Sequence, residues 1–164
     1  AIVENGRPIV GVVYNPITGE CFGAVSGFGA TLNGKRIHVS NQSKLEDCRM
    51  LGPRTTFDDP PASIAPINPW PQMHVETRNS VAYRLALVAC GAFDAAAALS
   101  AKHDWDLAAG DLIVHEAGGC VSTHTGEICR YNGEVPVQPS VMAAGPALHA
   151  QLIARVRDVK LPAR

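Results

Sequence analysis

The chain has 164 residues, of which 46% are hydrophobic, and its 14 basic and 15 acidic residues give a formal net charge of −1. A chain of this length can bury about 70% of the surface that it exposes when unfolded, enough for a core of its own. The balanced charge and the absence of a basic stripe or a long apolar span argue against a nucleic-acid polymer or a membrane as a partner. Five cysteines without a Cys-x-x-Cys pair predict reduced, buried thiols in a cytoplasmic protein.

The first third of the chain has the pattern of an antiparallel meander. Asn-Gly pairs at 5–6 and 33–34 each predict a tight hairpin, because both central residues of such a turn need positive φ. Residues 8–14 and 21–25 read as strands, and the Asn-Pro-Ile-Thr-Gly segment at 15–19 is the turn between them. These strands and turns predict consecutive antiparallel neighbours in one sheet.

From the middle of the chain onward, strand and helix patterns alternate. The segments are a strand at 49–52, a helix at 80–90, a strand at 93–99, a helix at 105–117, strands at 120–122 and 141–144, and a helix at 147–156. Alternation of this kind predicts a layered α/β sheet. We therefore divide the chain into a β-rich meander over 1–52, an irregular proline-rich segment over 53–74 and an α/β domain over 75–164.

The helix predicted at 105–117 carries the candidate functional residue. Asp106 either caps this helix or occupies its first turn, where free amides and the helix dipole favour a carboxylate. A carboxylate at that position can also bind a cation. Gly118 and Gly119 follow the helix and supply the positive φ at which helices end. A single Asp before a helix is more often a plain N-cap, so this position alone does not establish a metal site.

The whole string at 105–119, Trp-Asp-x-Ala-Ala-Gly-x-Leu-Ile-Val-x-Glu-Ala-Gly-Gly, resembles the second signature of the inositol monophosphatase family. Further segments resemble the family at 1–16, 29–34, 80–89 and 143–149, and the resemblance is weakest over 53–74. It implies a layered α/β sandwich of the sugar-phosphatase type, of which this chain is the C-terminal portion. It also implies a magnesium-dependent phosphomonoesterase that acts on inositol phosphates, sugar phosphates or nucleotide 3′(2′),5′-bisphosphates by means of metal-activated water.

The resemblance assigns roles to individual residues. Asp106 matches a metal ligand for Mg²⁺, and Trp105 is expected to pack beneath it. The residues that support this helix are Gly110, Glu116, Gly118 and Gly119. Ser80, at the start of the preceding helix, is expected to cap that helix and to help bind the phosphate through free amides.

Two residues bear on the choice of substrate. Leu99 stands where the inositol-specific members carry a Glu that accepts hydrogen bonds from inositol hydroxyls, so inositol phosphate is not the favoured substrate. The segment around Lys102 is more similar to the bacterial branch that includes the bisphosphate nucleotidases, and Lys102 is a candidate contact for a second phosphate. The simpler alternative for Lys102 is a solvated surface lysine.

The family's first signature, Asp-Pro-Ile-Asp-Gly-Thr, supplies most of the metal ligands, and it does not occur in this sequence. We therefore expect the chain to be part of a longer protein, to be inactive alone, and to need the N-terminal half of the same protein as its partner. Family members are commonly dimers, which predicts a homodimer at full length. The alternative is a non-catalytic binding or assembly module derived from the same family.

Two other motifs are rejected on physical grounds. Residues 29–36 nearly spell a nucleotide phosphate-binding loop, but Arg36 stands where a magnesium-binding hydroxyl is required, and the Asn-Gly pair predicts a hairpin instead of a helix. His103, His115 and His124 lack the spacing of a zinc site.

Overall fold

The computed structural model describes residues 1–58, 60 and 69–161. Within that part of the chain there are two five-stranded sheets, one two-stranded ladder and four helices. In chain order the elements are β1 (Ile2–Glu4), β2 (Arg7–Asn15), β3 (Glu20–Val25), β4 (Ala30–Leu32), β5 (Lys35–Arg36), β6 (Arg49–Leu51), α1 (Arg54–Phe57), β7 (His74–Glu76), α2 (Val81–Ala89), β8 (Ala95–Ala98), β9 (Lys102–His103), α3 (Asp104–Glu116), β10 (Cys120–Ser122), β11 (Val137–Gln138), β12 (Val141–Ala144) and α4 (Pro146–Val156).

The first sheet is the antiparallel meander that the sequence predicts, in the order β1-β2-β3-β4-β5. Both Asn-Gly pairs, at 5–6 and 33–34, adopt positive φ at both residues, with φ between 48° and 78°. Residues 29–36 contain the β4–β5 hairpin and no helix, so this segment lacks the strand-to-helix geometry of a phosphate-binding loop.

The second sheet is mixed, in the order β10-β12-β8-β6-β7. Strands β7 and β8 are parallel to β6, while β8, β12 and β10 pair in antiparallel fashion. All four alanines of β8 are buried, because side chains alternate between the two faces of the sheet and both faces are covered. Ala96 and Ala98 face one core, and Ala95 and Ala97 face the other.

Two apolar cores separate the layers. The first core lies between the two sheets and contains α2 and α3; its largest buried members are Phe22, Leu51, Leu85, Leu107 and Ile113. The second core lies between the second sheet and α4 and includes Met50, Met142, Leu148 and Leu152. The order of layers is therefore first sheet, helix pair, second sheet, helix, which confirms the predicted layered α/β sandwich.

Several short elements depart from the sequence prediction. The segment 53–74, predicted to be irregular, begins with the four-residue helix α1 and ends on the first residue of β7, while residues 59 and 61–68 lie outside the described part. These elements escaped prediction because a single turn or a three-residue strand has no readable periodicity. No helix among the described residues is long and apolar enough to cross a membrane.

The cysteines are free thiols, but they are not all buried. Cys48 and Cys129 lie in the cores, and burial raises the pKa of Cys48 to about 12 and that of Cys129 to about 11. Cys90 and Cys120 are partly buried. Cys21 is exposed, which corrects the expectation of uniformly buried cysteines, because its side chain points to the outer face of the first sheet.

Candidate active site

Asp106 lies in the first turn of α3. The N-cap is His103, whose side chain makes no capping hydrogen bond, so Asp106 is not the cap residue. Its side chain is partly buried, and within the described part of the chain no hydrogen bond or salt bridge occupies its carboxylate. Both carboxylate oxygens are therefore free to bind a cation, next to the positive end of the helix dipole.

The start of α3 is held in place by the loop at 130–138. His103 pairs with Val137 in the β9–β11 ladder. The buried carboxylate of Asp104 accepts hydrogen bonds from Asn132 N at 2.8 Å and from Gln138 Nε2 at 2.9 Å. Asp104 is thus fully engaged in fixing this loop, which leaves Asp106 as the available carboxylate of the first turn.

The middle of α3 is fixed by close packing and by a buried ion pair. A Cβ added at Gly110 would lie 2.7 Å from Leu85 Cβ, so glycine is required where α3 crosses α2. The next residue, Asp111, accepts hydrogen bonds from Arg7 Nη1 at 3.0 Å and Tyr131 Oη at 2.8 Å. Burial raises the pKa of Asp111, and Arg7 and Tyr131 offset part of that effect.

The end of α3 is tied to the first sheet. The Glu116 carboxylate accepts hydrogen bonds from the backbone N–H of Gly27 at 2.8 Å and of Gly29 at 2.7 Å. Gly118 ends the helix with φ of +86°, and a Cβ added at Gly119 would lie 2.7 Å from Val114 Cγ1. The residues that the sequence assigned to support this helix therefore contact its ends and its crossing point.

One expected support residue, Trp105, lies elsewhere than predicted, and one expected substrate contact, Leu99, is buried. Trp105 does not pack beneath Asp106: its side chain is 69% exposed and stacks on the His103 ring with centroids 4.1 Å apart. Successive residues of a helix point about 100° apart, so a tryptophan next to a partly exposed Asp106 can turn to solvent. Leu99 is 5% exposed and packs in the second core, and its contact with a substrate stays a prediction.

Ser80 and Lys102 lie at the starts of the two helices of the first core. Ser80 is the N-cap of α2, and its Oγ accepts a hydrogen bond from Tyr83 N at 3.2 Å. Lys102 Nζ donates to Ser100 Oγ at 2.7 Å and to the carbonyls of Ser100 and Ala101. Burial and the nearby Arg84 lower the pKa of Lys102, and Asp106 partly opposes them, so Lys102 lies within electrostatic reach of both residues.

Arg84 is a residue of this region that sequence reasoning missed. It is the one charged residue of α2, and it is only 7% exposed. Burial lowers its pKa, and its Nε has no hydrogen-bond partner among the described residues. The available signal was a single arginine inside an otherwise apolar helix, one turn after the capping Ser80.

The residues present fit a Mg²⁺ site in part. Asp106 offers the hard carboxylate oxygens that Mg²⁺ prefers, but Mg²⁺ is held by several oxygen ligands together. Across residues 1–58, 60 and 69–161, no group of three or more His, Cys, Asp or Glu side chains is placed to hold a metal ion. Asp106 is therefore a single candidate ligand, without a complete ligand set around it among the described residues.

Comparison with known proteins gives a consistent result. The model of the inositol monophosphatase family matches residues 1–161. Inositol monophosphatase 2 of Solanum lycopersicum is 40% identical over 125 residues, which are 73% of this chain and 47% of that protein. Nus factor SuhB of Pasteurella multocida is 36% identical over 164 residues, which are 96% of this chain and 58% of that protein. The chain thus spans about half the length of these curated relatives.

Solved structures of proteins similar to this chain have the same fold. An inositol monophosphatase of Thermotoga maritima superposes with a TM-score of 0.74 at 29% identity, over 96% of this chain and 59% of that one. The suhB protein of Bartonella henselae superposes with a TM-score of 0.73 at 29% identity, over 92% of this chain and 59% of its own. The matched region includes the layers that place Asp106 at the start of α3.

Proposed function

Because the chain belongs to the inositol monophosphatase family, we propose that the whole protein is a magnesium-dependent phosphomonoesterase that hydrolyses a small phosphorylated metabolite. The observation that carries the proposal is the free carboxylate of Asp106 in the first turn of α3, within the segment that resembles the family's second signature. The other ligands are expected from the part of the family fold that this chain does not span.

The residues of this chain contribute position and charge to that reaction. When bound, Mg²⁺ polarises the phosphate ester and activates water as the nucleophile. Asp106 supplies one oxygen ligand, and the loop and ion-pair contacts of α3 fix where that oxygen lies. Free amides at the N-terminus of α2, next to Ser80, are suited to bind phosphate oxygens. Lys102 adds positive charge within electrostatic reach of Asp106.

The whole protein, produced from its complete coding sequence, tests the proposal directly. Phosphate release from inositol 1-phosphate, glucose 1-phosphate and adenosine 3′,5′-bisphosphate is measured as Mg²⁺ is added and then removed with EDTA. We expect release from at least one substrate that requires Mg²⁺. A folded protein that hydrolyses none of them, or hydrolyses them equally well in EDTA, is not the phosphatase proposed here.

The 164-residue chain alone should be almost inactive. Its described residues bring no three metal-ligating side chains together, so it lacks the ligand set that Mg²⁺ needs, and we expect a rate at most about one thousandth that of the whole protein. The measurement is phosphate release by both proteins under the same conditions. Chelator-sensitive turnover by the purified chain would overturn the assignment of the remaining ligands to another segment.

The whole protein should prefer adenosine 3′,5′-bisphosphate to inositol 1-phosphate. Leu99 offers no acceptor for inositol hydroxyls, and each buried hydroxyl left unpaired costs about 1–3 kcal/mol, or roughly 5-fold to 150-fold in kcat/KM. The measurement is kcat/KM for both substrates with the wild-type protein. A clear preference for inositol 1-phosphate would mean that another residue supplies those contacts.

A second candidate function is favoured by the names of some relatives. Proteins called Nus factor SuhB match 96% of this chain at 33–36% identity, so a role as a binding or assembly module is the main alternative to catalysis. The EDTA experiment separates the two, because an assembly module has no metal-dependent turnover. The family resemblance also favours a cytoplasmic homodimer. Size-exclusion chromatography with light scattering measures the molar mass in solution and so tests the dimer.

A further inference from the structure

Two short contacts tie the end of β10 to the residue that precedes β12. The backbone N–H and the ring Nδ1 of His124 both lie 2.8 Å from Ser140 Oγ. Ser140 is fully buried, and His124 is 9% exposed. Because the His124 N–H donates to Oγ, the Ser140 hydroxyl has Nδ1 as its acceptor among the described residues. This arrangement requires an unprotonated Nδ1, and the neutral ring then carries its proton on Nε2.

Protonation of the His124 ring would undo this arrangement. An imidazolium donates from both ring nitrogens, so the Ser140 hydroxyl would lose its acceptor in a place that is closed to water. The positive charge would also be buried, which is costly without a counterion. Burial accordingly lowers the pKa of His124, and a hydrogen bond to the backbone of Val159 and the field of Glu127 oppose that effect in part. The contact with Ser140 is therefore made by the neutral ring.

The turn that carries His124 is compact and has few attachments to the rest of the fold. Within the turn, Thr123 N donates to the Glu127 carbonyl at 2.9 Å, and Glu127 N donates to Thr123 Oγ1 at 3.2 Å. The strand before it, β10, is an edge strand of the second sheet and pairs with β12 over three residues. Ser122 Oγ meets His149 Nε2 of α4 at 2.9 Å. Segments with so few contacts open locally at low free energy.

We propose that His124 is an acid-sensitive clamp, in which the neutral ring holds the turn at 123–127 against Ser140 and protonation opens this edge of the second sheet. Below about pH 6.5, the ordinary pKa of histidine, the open form binds a proton that the closed form excludes. Acid therefore favours opening, by up to about tenfold in the opening equilibrium for each pH unit. This inference goes beyond the proposed phosphatase function and does not depend on it.

The second histidine of this region responds differently to acid. Burial lowers the pKa of His149 as well. The Ser122 hydroxyl donates to the Thr123 carbonyl, however, so its oxygen can accept from His149 Nε2–H whether or not that ring is charged. The contact of His149 with Ser122 therefore survives protonation. The other charged groups around His124 are Glu127 in the turn and, on either side of Val159, Asp158 and Lys160.

Hydrogen–deuterium exchange of the whole protein, read by mass spectrometry and corrected for the intrinsic effect of pH, tests the clamp. Between about pH 7.5 and about pH 5.5, we expect the protection of peptides over 120–127 to fall about threefold to tenfold, since opening takes up one proton. Peptides over α2, which contains no histidine, are the internal control and should keep their protection. Unchanged protection over 120–127, or an equal fall over α2, overturns the proposal.

Two variants assign the response to one histidine. His124→Asn keeps a side-chain oxygen as an acceptor for the Ser140 hydroxyl but does not titrate, so its protection over 120–127 should stay nearly constant with pH. His149→Gln keeps a donor for Ser122 and should respond to pH as the wild type does. A response that persists in His124→Asn, or that is lost in His149→Gln, belongs to another group and overturns the proposal.

Nuclear magnetic resonance of the wild-type histidine rings decides the question if His124→Asn does not fold. Long-range proton–nitrogen correlation spectra show which ring nitrogen carries the proton. We expect the Nε2–H form of His124 at about pH 7.5 and a titration midpoint below about 6.5. An Nδ1–H form, or a midpoint at or above the ordinary value, overturns the proposal.

Discussion

Asp106→Asn in the whole protein should lower the rate of phosphate release by about 10²–10⁴-fold, while the protein remains folded. Asparagine keeps the size of the side chain but removes the negative charge that a Mg²⁺ ligand supplies, and metal ligation accounts for several kcal/mol of transition-state stabilisation. The cost in unfolding free energy should be small, about 0.3–1 kcal/mol, because Asp106 contributes to α3 mainly through the helix dipole. The measurements are kcat as a function of Mg²⁺ concentration and urea unfolding.

The neighbouring acid provides a contrast within the same turn. Asp104→Asn also removes a first-turn carboxylate, but that carboxylate holds Asn132 and Gln138, so this variant should lose unfolding free energy, by about 1–3 kcal/mol. If Asp106→Asn has near-normal turnover and an unchanged Mg²⁺ dependence, Asp106 does not belong to the metal site.

The largest effect on stability is expected at Asp111. Asp111→Asn leaves Arg7 without its anionic partner, and we expect it to lower the unfolding free energy by about 2–4 kcal/mol. This value is below the roughly 3–5 kcal/mol of a fully buried pair, because the Arg7 side chain is 35% exposed and can regain some hydration. Urea unfolding monitored by circular dichroism gives the difference, with tryptophan fluorescence as a second probe of two-state behaviour.

An exposed ion pair serves as the control for this measurement. Glu76→Gln breaks the Glu76–Arg78 pair, in which both side chains are largely solvated, and it should cost no more than about 0.5 kcal/mol. Equal losses for the two variants would show that the Arg7–Asp111 contact does not hold α3 in place. The double variant with Arg7→Met then measures how much of the Asp111 effect depends on that partner.

The parts of the fold that sequence predicts well are those with local causes. The hairpins at 5–6 and 33–34 depend on the conformational preference of Asn-Gly itself, and the start of α2 depends on Ser80, which caps it. The ends of the long helices were predicted to within one residue for the same reason. The short strands β9 and β11 were missed, because each exists only through its pairing with the other.

In the candidate site, too, the sequence identifies the residue that lies in a local motif and misses the contacts between distant segments. Asp106 was identifiable because its surrounding string is specific and contiguous. The contact of Arg7 with Asp111 joins residues 104 positions apart, and no local pattern reports it. The exposure of Trp105 and the burial of Leu99 likewise depend on how α3 and β8 pack in three dimensions. The sequence shows Arg84 as a single charged residue in an apolar helix, but only the structure shows that its side chain is buried.

The four alanines of β8 have a consequence for how this protein can change over many generations. A strand with almost no side-chain bulk lets the helices on both faces approach the sheet closely, and larger residues there would act as wedges between the layers. Glycine would loosen the strand, and serine would place a hydroxyl on a closed apolar surface. Few residue types other than alanine are therefore tolerated in β8. The spacing between the layers therefore limits which substitutions β8 tolerates. This strand precedes Lys102 and Asp106 in the chain, so a shift of the strand would also move those two residues.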